Sequence, residues 1–307
     1  MQLPDGEVPS PPPGEPVAVS LRALWRRHWP TILGVAITIA MVAGLARGLA
    51  GSGLAGLREA VPASPLFYLS FALLYVALPL GDFVIFRQLW HIPVAGFVAL
   101  LKKRIANDVV VGYAGEAYFY SWAVARARLV SAPFGAVKDV SILSALAGNG
   151  MTLTMTVLAL FLGQTLLRPA DFSALAWSTL LVVGISLPFL IFSRRVFSLP
   201  RAALSRIFLV HCLRLIADTV LLALAWHVAL PQVAIGTWLL LVAGRLLVSR
   251  LPFVPNKDLL FANFAITLVG HSDGLSALVA VTAALTLLVH AALIVVFGLF
   301  SLFRNRV

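Results

Sequence analysis

LSALVAVTAALTLLVHAALIVVFGLFSLF, Leu275 to Phe303, runs for 29 residues without an Asp, Glu, Lys or Arg. A bilayer core about 30 Å thick needs ~20 helical residues at ~1.5 Å each. The run is long enough to span one. Comparable runs recur at Trp29–Ala50, Pro65–Arg87, Val140–Leu167, Phe172–Phe192, Ile207–Ala229 and Val233–Val248. The pattern predicts an all-α, polytopic integral membrane helical bundle of about seven spans. Residues 21–307 would form a single transmembrane domain.

Composition points the same way. Of 307 residues, 61% are hydrophobic and 11% charged, with mean hydropathy +0.98. Soluble domains run at about 45–50% apolar and about 25% charged. Neither of two soluble domains could hide this much apolar surface. A soluble globular enzyme, a disordered chain and a nucleic-acid-binding domain are excluded. The single cysteine, Cys212, allows no intrachain disulfide.

The net charge of +11 reads as orientation charge and not as a nucleic-acid footprint. Residues 1–20, with Pro9 to Pro16 rich in proline, read as a disordered cytoplasmic tail. Leu21 to His28 is basic and suits a headgroup surface, and Trp29–Ala50 reads as a retained signal anchor. Arg22, Arg26 and Arg27 precede the first run, and Arg87, Lys102, Lys103 and Arg104 follow the second. Arg194, Arg195, Arg201 and Arg206 form a third cluster, Arg245, Arg250 and Lys257 a fourth, and Arg304 and Arg306 end the chain. The positive-inside rule places these clusters and the N-terminus in the cytoplasm. Leu259–Gly270 covers only about 18 Å as a helix. It must still reach partway across for the last helix to return.

Polar groups at membrane depth are expensive and mark candidate sites. Arg214 and Asp218 stand four apart on one helix face. They suit a headgroup or proton site, or a self-neutralising pair that holds the bundle. Asp82 lies five residues before Arg87, which could snorkel to the interface. Asn149 sits inside Gly148-Asn149-Gly150, as a flaw on a substrate path or as small-residue packing. His211, His227 and His290 lack metal-ligand spacing and suit hydrogen bonds between helices.

Gly270-His271-Ser272-Asp273-Gly274 fits G-x-S-x-G, but an apolar helix precedes it and no acid follows Asp273. A polar loop explains it better than a nucleophile elbow. There is no P-loop, no dinucleotide fingerprint and no aspartate-rich diphosphate–metal motif. No cofactor, no metal and no catalytic residue is expected.

Two stretches break the helical pattern. One is Asn107-Asp-Val-Val-Val-Gly112-Tyr-Ala-Gly115-Glu116, opening a mixed segment, Ile105–Ser131, that suits a re-entrant or interfacial hairpin. The other is Leu251-Pro252-Phe-Val-Pro255-Asn256-Lys257-Asp258. Each follows a basic cluster, carries helix breakers and an acid, and precedes a long apolar helix. Paired interruptions in two halves are a pointer to a transporter-type site and to an internal pseudo-repeat. Broken helix ends aim backbone N–H groups at anions. Lys102, Lys103, Arg104, Arg126, Arg128 and Lys257 stand near enough in sequence to hold a lipid phosphate. Ordinary cytoplasmic loops are the plainer alternative.

These stretches resemble the membrane domain of lysylphosphatidylglycerol synthases and its stand-alone, flippase-like relatives. The family's first half carries an Asn, then Pro-Gly, then Gly-Glu, and Asn107, Gly112, Gly115 and Glu116 match in order and spacing. Its second half carries Pro-Gly-Gly-x-Gly-x-x-Glu, to which Pro252 or Pro255 and Asp258 correspond. Val111 stands where the family has Pro, Tyr113 where it often has Arg, and the second stretch lacks the glycines. The resemblance implies a bacterial inner-membrane protein that binds or moves a lipid, with Asn107, Gly112, Gly115, Glu116 and Asp258 near the site. It does not imply lysine transfer, which belongs to a soluble domain.

The leading expectation is a flippase-like protein for an anionic phospholipid or isoprenoid-linked lipid. Glu116 and Asp258 would order the cations or bind a coupling ion. A non-catalytic membrane partner of an envelope-biogenesis enzyme is the alternative, and a membrane-embedded transferase ranks third. Topology is testable with Cys212 replaced by Ser. A cysteine at Ser272 should label from outside the cytoplasm and one at the C-terminus from inside, and the reverse pattern contradicts the proposed order.

Overall fold

The computed structural model describes residues 61–110, 113–125, 133–162, 196–251, 254–269 and 274–304, with isolated positions at 39, 177, 180 and 184. Among them, the only regular structure is helical. We number the helices α1 (Pro65–Trp90), α2 (Ala95–Val109), α3 (Ala114–Val124), α4 (Pro133–Leu162), α5 (Arg201–Ala229), α6 (Ile235–Ser249), α7 (Lys257–Val269) and α8 (Leu275–Arg304). The expected spans Trp29–Ala50 and Phe172–Phe192, the Pro-rich tail, Gly112, Arg126, Arg128 and the Gly270–Asp273 loop lie outside the described residues.

Among the described residues, four helices are long and apolar enough to cross a membrane: α1, α4 over Phe134–Leu158, α5, and α8 over Leu275–Phe300. The expected span at Val233–Val248 is not among them: α6 there has 15 residues. That is about 22 Å of helix, too short for an undeformed bilayer core. The expected start of the third span at Val140 is corrected, because α4 begins at Pro133. Proline suits a first helical turn, where its missing N–H has no partner to lose.

Polarity is inverted relative to a water-soluble bundle. α5 exposes Leu209, Leu213, Ile216, Val220 and Leu224 at helical spacing, and buries His211 and Thr219 on its other side. α1 exposes Leu66, Leu69, Leu73, Leu80 and Val84, yet buries Ser70 and Asp82. Exposed apolar rows beside buried polar groups are stable when the solvent is hydrocarbon.

α1 packs along α5, and α4 packs against α5 and α6. One apolar cluster centres on Trp226, Trp238 and Phe261, joining α5, α6, α7 and α8. The Trp226 indole N–H donates to Thr282 Oγ1 at 3.0 Å and ties α5 to α8. A second cluster, with Phe86, Trp90 and Phe119, joins α1, α2, α3 and α4. Asp139 of α4 is fully buried and accepts the backbone N–H groups of Ser198 and Leu199, each at 2.7 Å. That contact holds the approach to α5.

α3 and the end of α2 fall within Ile105–Ser131, and the two helices pack against each other. Asn107 Oδ1 accepts the Gly115 N–H at 2.7 Å and satisfies a free donor at the start of α3. A Cβ on Gly115 would sit 2.0 Å from the Lys103 carbonyl oxygen. That oxygen is helix backbone and cannot step aside. Gly115→Ala should therefore destabilise the protein by about 1–3 kcal/mol. Gly150→Ala, with nothing within 4 Å of its Cβ position, is the neutral control. Thermal unfolding in detergent measures both, and equal melting temperatures would contradict the close approach.

Candidate functional site

Both apolar clusters contribute walls to one cavity of about 440 Å³, lined by α1, α2, α4, α5, α6, α7 and α8 together with Tyr113 and Glu116. Its charged lining is organised as cross-helix pairs. Lys103 Nζ of α2 lies 2.7 Å from Asp82 Oδ2 of α1 and 3.3 Å from Glu116 Oε1 of α3. The Lys103 and Asp82 side chains are 9% and 4% exposed, so this pair carries its charge with almost no water. Arg214 and Asp218 pair at 2.9 Å along α5. Arg245 of α6 grips Asp258 of α7 in a fork, Nε to Oδ1 at 2.9 Å and NH2 to Oδ2 at 3.2 Å. Arg104 Nε lies 3.6 Å from Asp108 one turn along α2, and its guanidinium stacks 4.3 Å from the Tyr75 ring centroid.

Two glycines make room for arginines. A Cβ on Gly81 would come within 2.8 Å of Arg214 Cδ, and one on Gly148 within 2.2 Å of Arg250 NH1. Gly148 thus notches α4 where the Arg250 guanidinium packs. Asn149 beside it is buried in the cavity wall.

The two interrupted stretches meet. The Asn256 backbone N–H donates to the Asp108 carbonyl at 2.5 Å. Asn256 has φ 45°, a left-handed turn that an asparagine tolerates. The contact brings Lys257 and Asp258, at the start of α7, to the cavity face of α2.

Arg250 and Lys257 differ from the other cations. Among the described residues neither has a carboxylate within ion-pair distance. Arg250 Nε and NH2 donate to Ser249 Oγ at 3.1 and 2.9 Å. Lys257 Nζ donates to the Ser249 carbonyl at 2.8 Å. Burial pushes the Arg250 guanidinium below its ordinary range, and Arg214 and Arg245 push it further. Burial also lowers Lys257, and Arg250 adds to the effect against the opposing pull of Asp108 and Asp258. Two neighbouring cations held this way form a pole that favours an anion.

Of the residues expected at the site, Asp82, Lys103, Arg104, Asn107, Glu116, Asn149, Arg214, Asp218, Lys257 and Asp258 all line the cavity. Gly115 acts from behind it, by seating α3. Lys102 does not join them: its ammonium lies 5.2 Å from the Phe297 ring centroid. The partner of Asp82 is Lys103, a contact that the sequence did not indicate. Arg87 lies 5.7 Å from the Phe83 ring centroid. Sequence reading also missed Tyr75, Asp108, Arg245, Arg250 and His290 as cavity residues. The i, i+4 spacing of Arg104 and Asp108 was the one local signal. Among the described residues no group of three His, Cys, Asp or Glu is placed to hold a metal ion.

Breaking the tightest pair should be costly. Lys103→Met leaves Asp82 as a buried unpaired charge and should cost roughly 3–5 kcal/mol. Adding Asp82→Asn should recover most of that loss. A double variant no more stable than Lys103→Met alone would show that the pair does not compensate.

Comparison with protein-family models, with curated proteins and with solved structures returns no match to this chain.

Proposed function

We propose that this chain is a flippase-like integral membrane protein that holds the headgroup of an anionic phospholipid or a polyprenyl-phosphate lipid in the charged cavity. A bacterial inner membrane is the proposed setting. The observation that carries the reading is the pole at Arg250 and Lys257. Four other cations lining the cavity have carboxylate partners, and these two have none among the described residues. A phosphate oxygen on them would supply the missing charge-assisted hydrogen bonds. The apolar faces of α1, α5 and α8 would give the acyl or isoprenoid chains their solvent. Glu116 and Asp258 then serve as ordering groups, holding Lys103 and Arg245 away from the headgroup.

Binding to the purified full chain in phosphatidylcholine nanodiscs tests this. Fluorescent phosphatidylglycerol should bind, and labelled phosphatidylcholine should compete poorly. Charge-assisted hydrogen bonds contribute about 1.5–3 kcal/mol. Arg250→Gln or Lys257→Gln should each weaken binding about tenfold or more. Because the Lys257 pKa is lowered, its charge is lost, and binding falls, at a lower pH than a solvated lysine would give. Lys257→Arg should move that loss upward. Equal affinity for both lipids, or unchanged affinity in both variants, would overturn the reading.

A further inference from the structure

The cavity wall holds a hydrogen-bonded chain that headgroup binding does not use. Tyr75 Oη of α1 lies 2.8 Å from His290 Nδ1, and Asp108 Oδ2 of α2 lies 3.0 Å from His290 Nε2. A carboxylate only accepts, so Nε2 carries a proton, and Nδ1 of the neutral ring accepts from the Tyr75 hydroxyl. The same frame fits the charged ring. Nδ1–H then donates to the Tyr75 oxygen and Asp108 faces an imidazolium. His290 is fully buried, while the Asp108 side chain is 40% exposed and opens the pair to the cavity.

The charged and titratable groups around the pair come from five helices. They are Tyr75 of α1, Arg104 of α2 and Lys257 at the start of α7, whose charge acts on Asp108. Beyond them stand the Arg214–Asp218 pair of α5 and Arg245 of α6, bound to Asp258. Six cations and five carboxylates line the cavity, so with His290 neutral it carries one net positive charge. A proton added in that state brings the count to two, and a phosphodiester on Arg250 and Lys257 brings it back to one. Asp108 joins the two sites directly, because its carbonyl holds the Asn256 N–H next to Lys257.

We propose that the His290–Asp108 pair, backed by Tyr75, is a proton-binding site that gains one proton when an anionic headgroup enters the cavity. Anion and proton then bind with positive cooperativity, each raising the affinity of the other by the same factor. The proposal rests on the headgroup reading and supplies it with a coupling ion.

Phosphatidylglycerol is a suitable probe, because its phosphodiester keeps one charge through the range in which imidazole titrates. In nanodiscs the full chain should bind it at least about fivefold more tightly at about pH 5.5 than at about pH 8. In His290→Gln the two affinities should agree within about twofold. Wild-type affinity that does not change with pH overturns the proton site and leaves the headgroup reading standing. No binding at either pH overturns both. A third measurement needs no variant. In ¹⁵N-histidine-labelled wild-type protein, saturating phosphatidylglycerol at about pH 6.5 should move one ring from the neutral to the cationic pattern. Histidine signals unchanged by the lipid contradict the proposal.

Discussion

Lys103 reaches across from α2 to Asp82 on α1 and Glu116 on α3, and the polar interior is built around that compensation. A lone ammonium here would face desolvation with nothing to offset it, and so would the Asp82 carboxylate. Together they hold three helices in one relative position. The Arg245–Asp258 fork does the same for α6 and α7, and Asp108 joins α2 to α8 through His290. Each is a link between different helices, so the charges define where the helices stand. Apolar packing against lipid could not do this alone, since hydrocarbon outside and side chains inside are nearly equivalent.

The same requirement explains the glycines. A buried arginine needs a wall low enough to pass, and Gly81 and Gly148 provide one for Arg214 and Arg250. Gly115 serves a different need, the approach of α3 to the Lys103 carbonyl. Asn107 completes that approach by accepting the Gly115 N–H. The Asn-to-Gly-Glu stretch is thus a structural hairpin that delivers one functional group, Glu116, to the cavity. When every compensated pair is set aside, what remains is a small cationic pole at the junction of the two interrupted stretches.

The long helices were legible in sequence because runs such as Leu275–Phe303 carry a signal that no tertiary contact can reverse. The hairpin was legible too, since Asn107, Gly112 and Gly115 cannot sit in a lipid-facing span. Arg214 and Asp218 could be paired from their spacing alone. Arg245 and Asp258 could not, because thirteen residues and a turn separate them. Lys257 was legible as a candidate phosphate ligand, whereas Arg250 was visible only as an orientation charge. A cluster's count gives its side of the membrane and not the direction its side chains take. The partner of Asp82 was not legible for the same reason: Lys103 is near it in space and not in sequence. The sixth expected span falls on α6, a shorter apolar helix, because apolar content in sequence does not fix a helix's length.

The proposed function requires that Arg250 and Lys257, left over when the cavity's other cations are paired among the described residues, take an anion. A density map of the full chain in nanodiscs containing phosphatidylglycerol addresses that claim most directly. A phosphate is expected within hydrogen-bonding distance of both side chains, with the Lys103–Asp82 and Arg245–Asp258 pairs intact. Phosphate density confined to the outer surface, with Arg250 and Lys257 turned onto protein carboxylates, would contradict it.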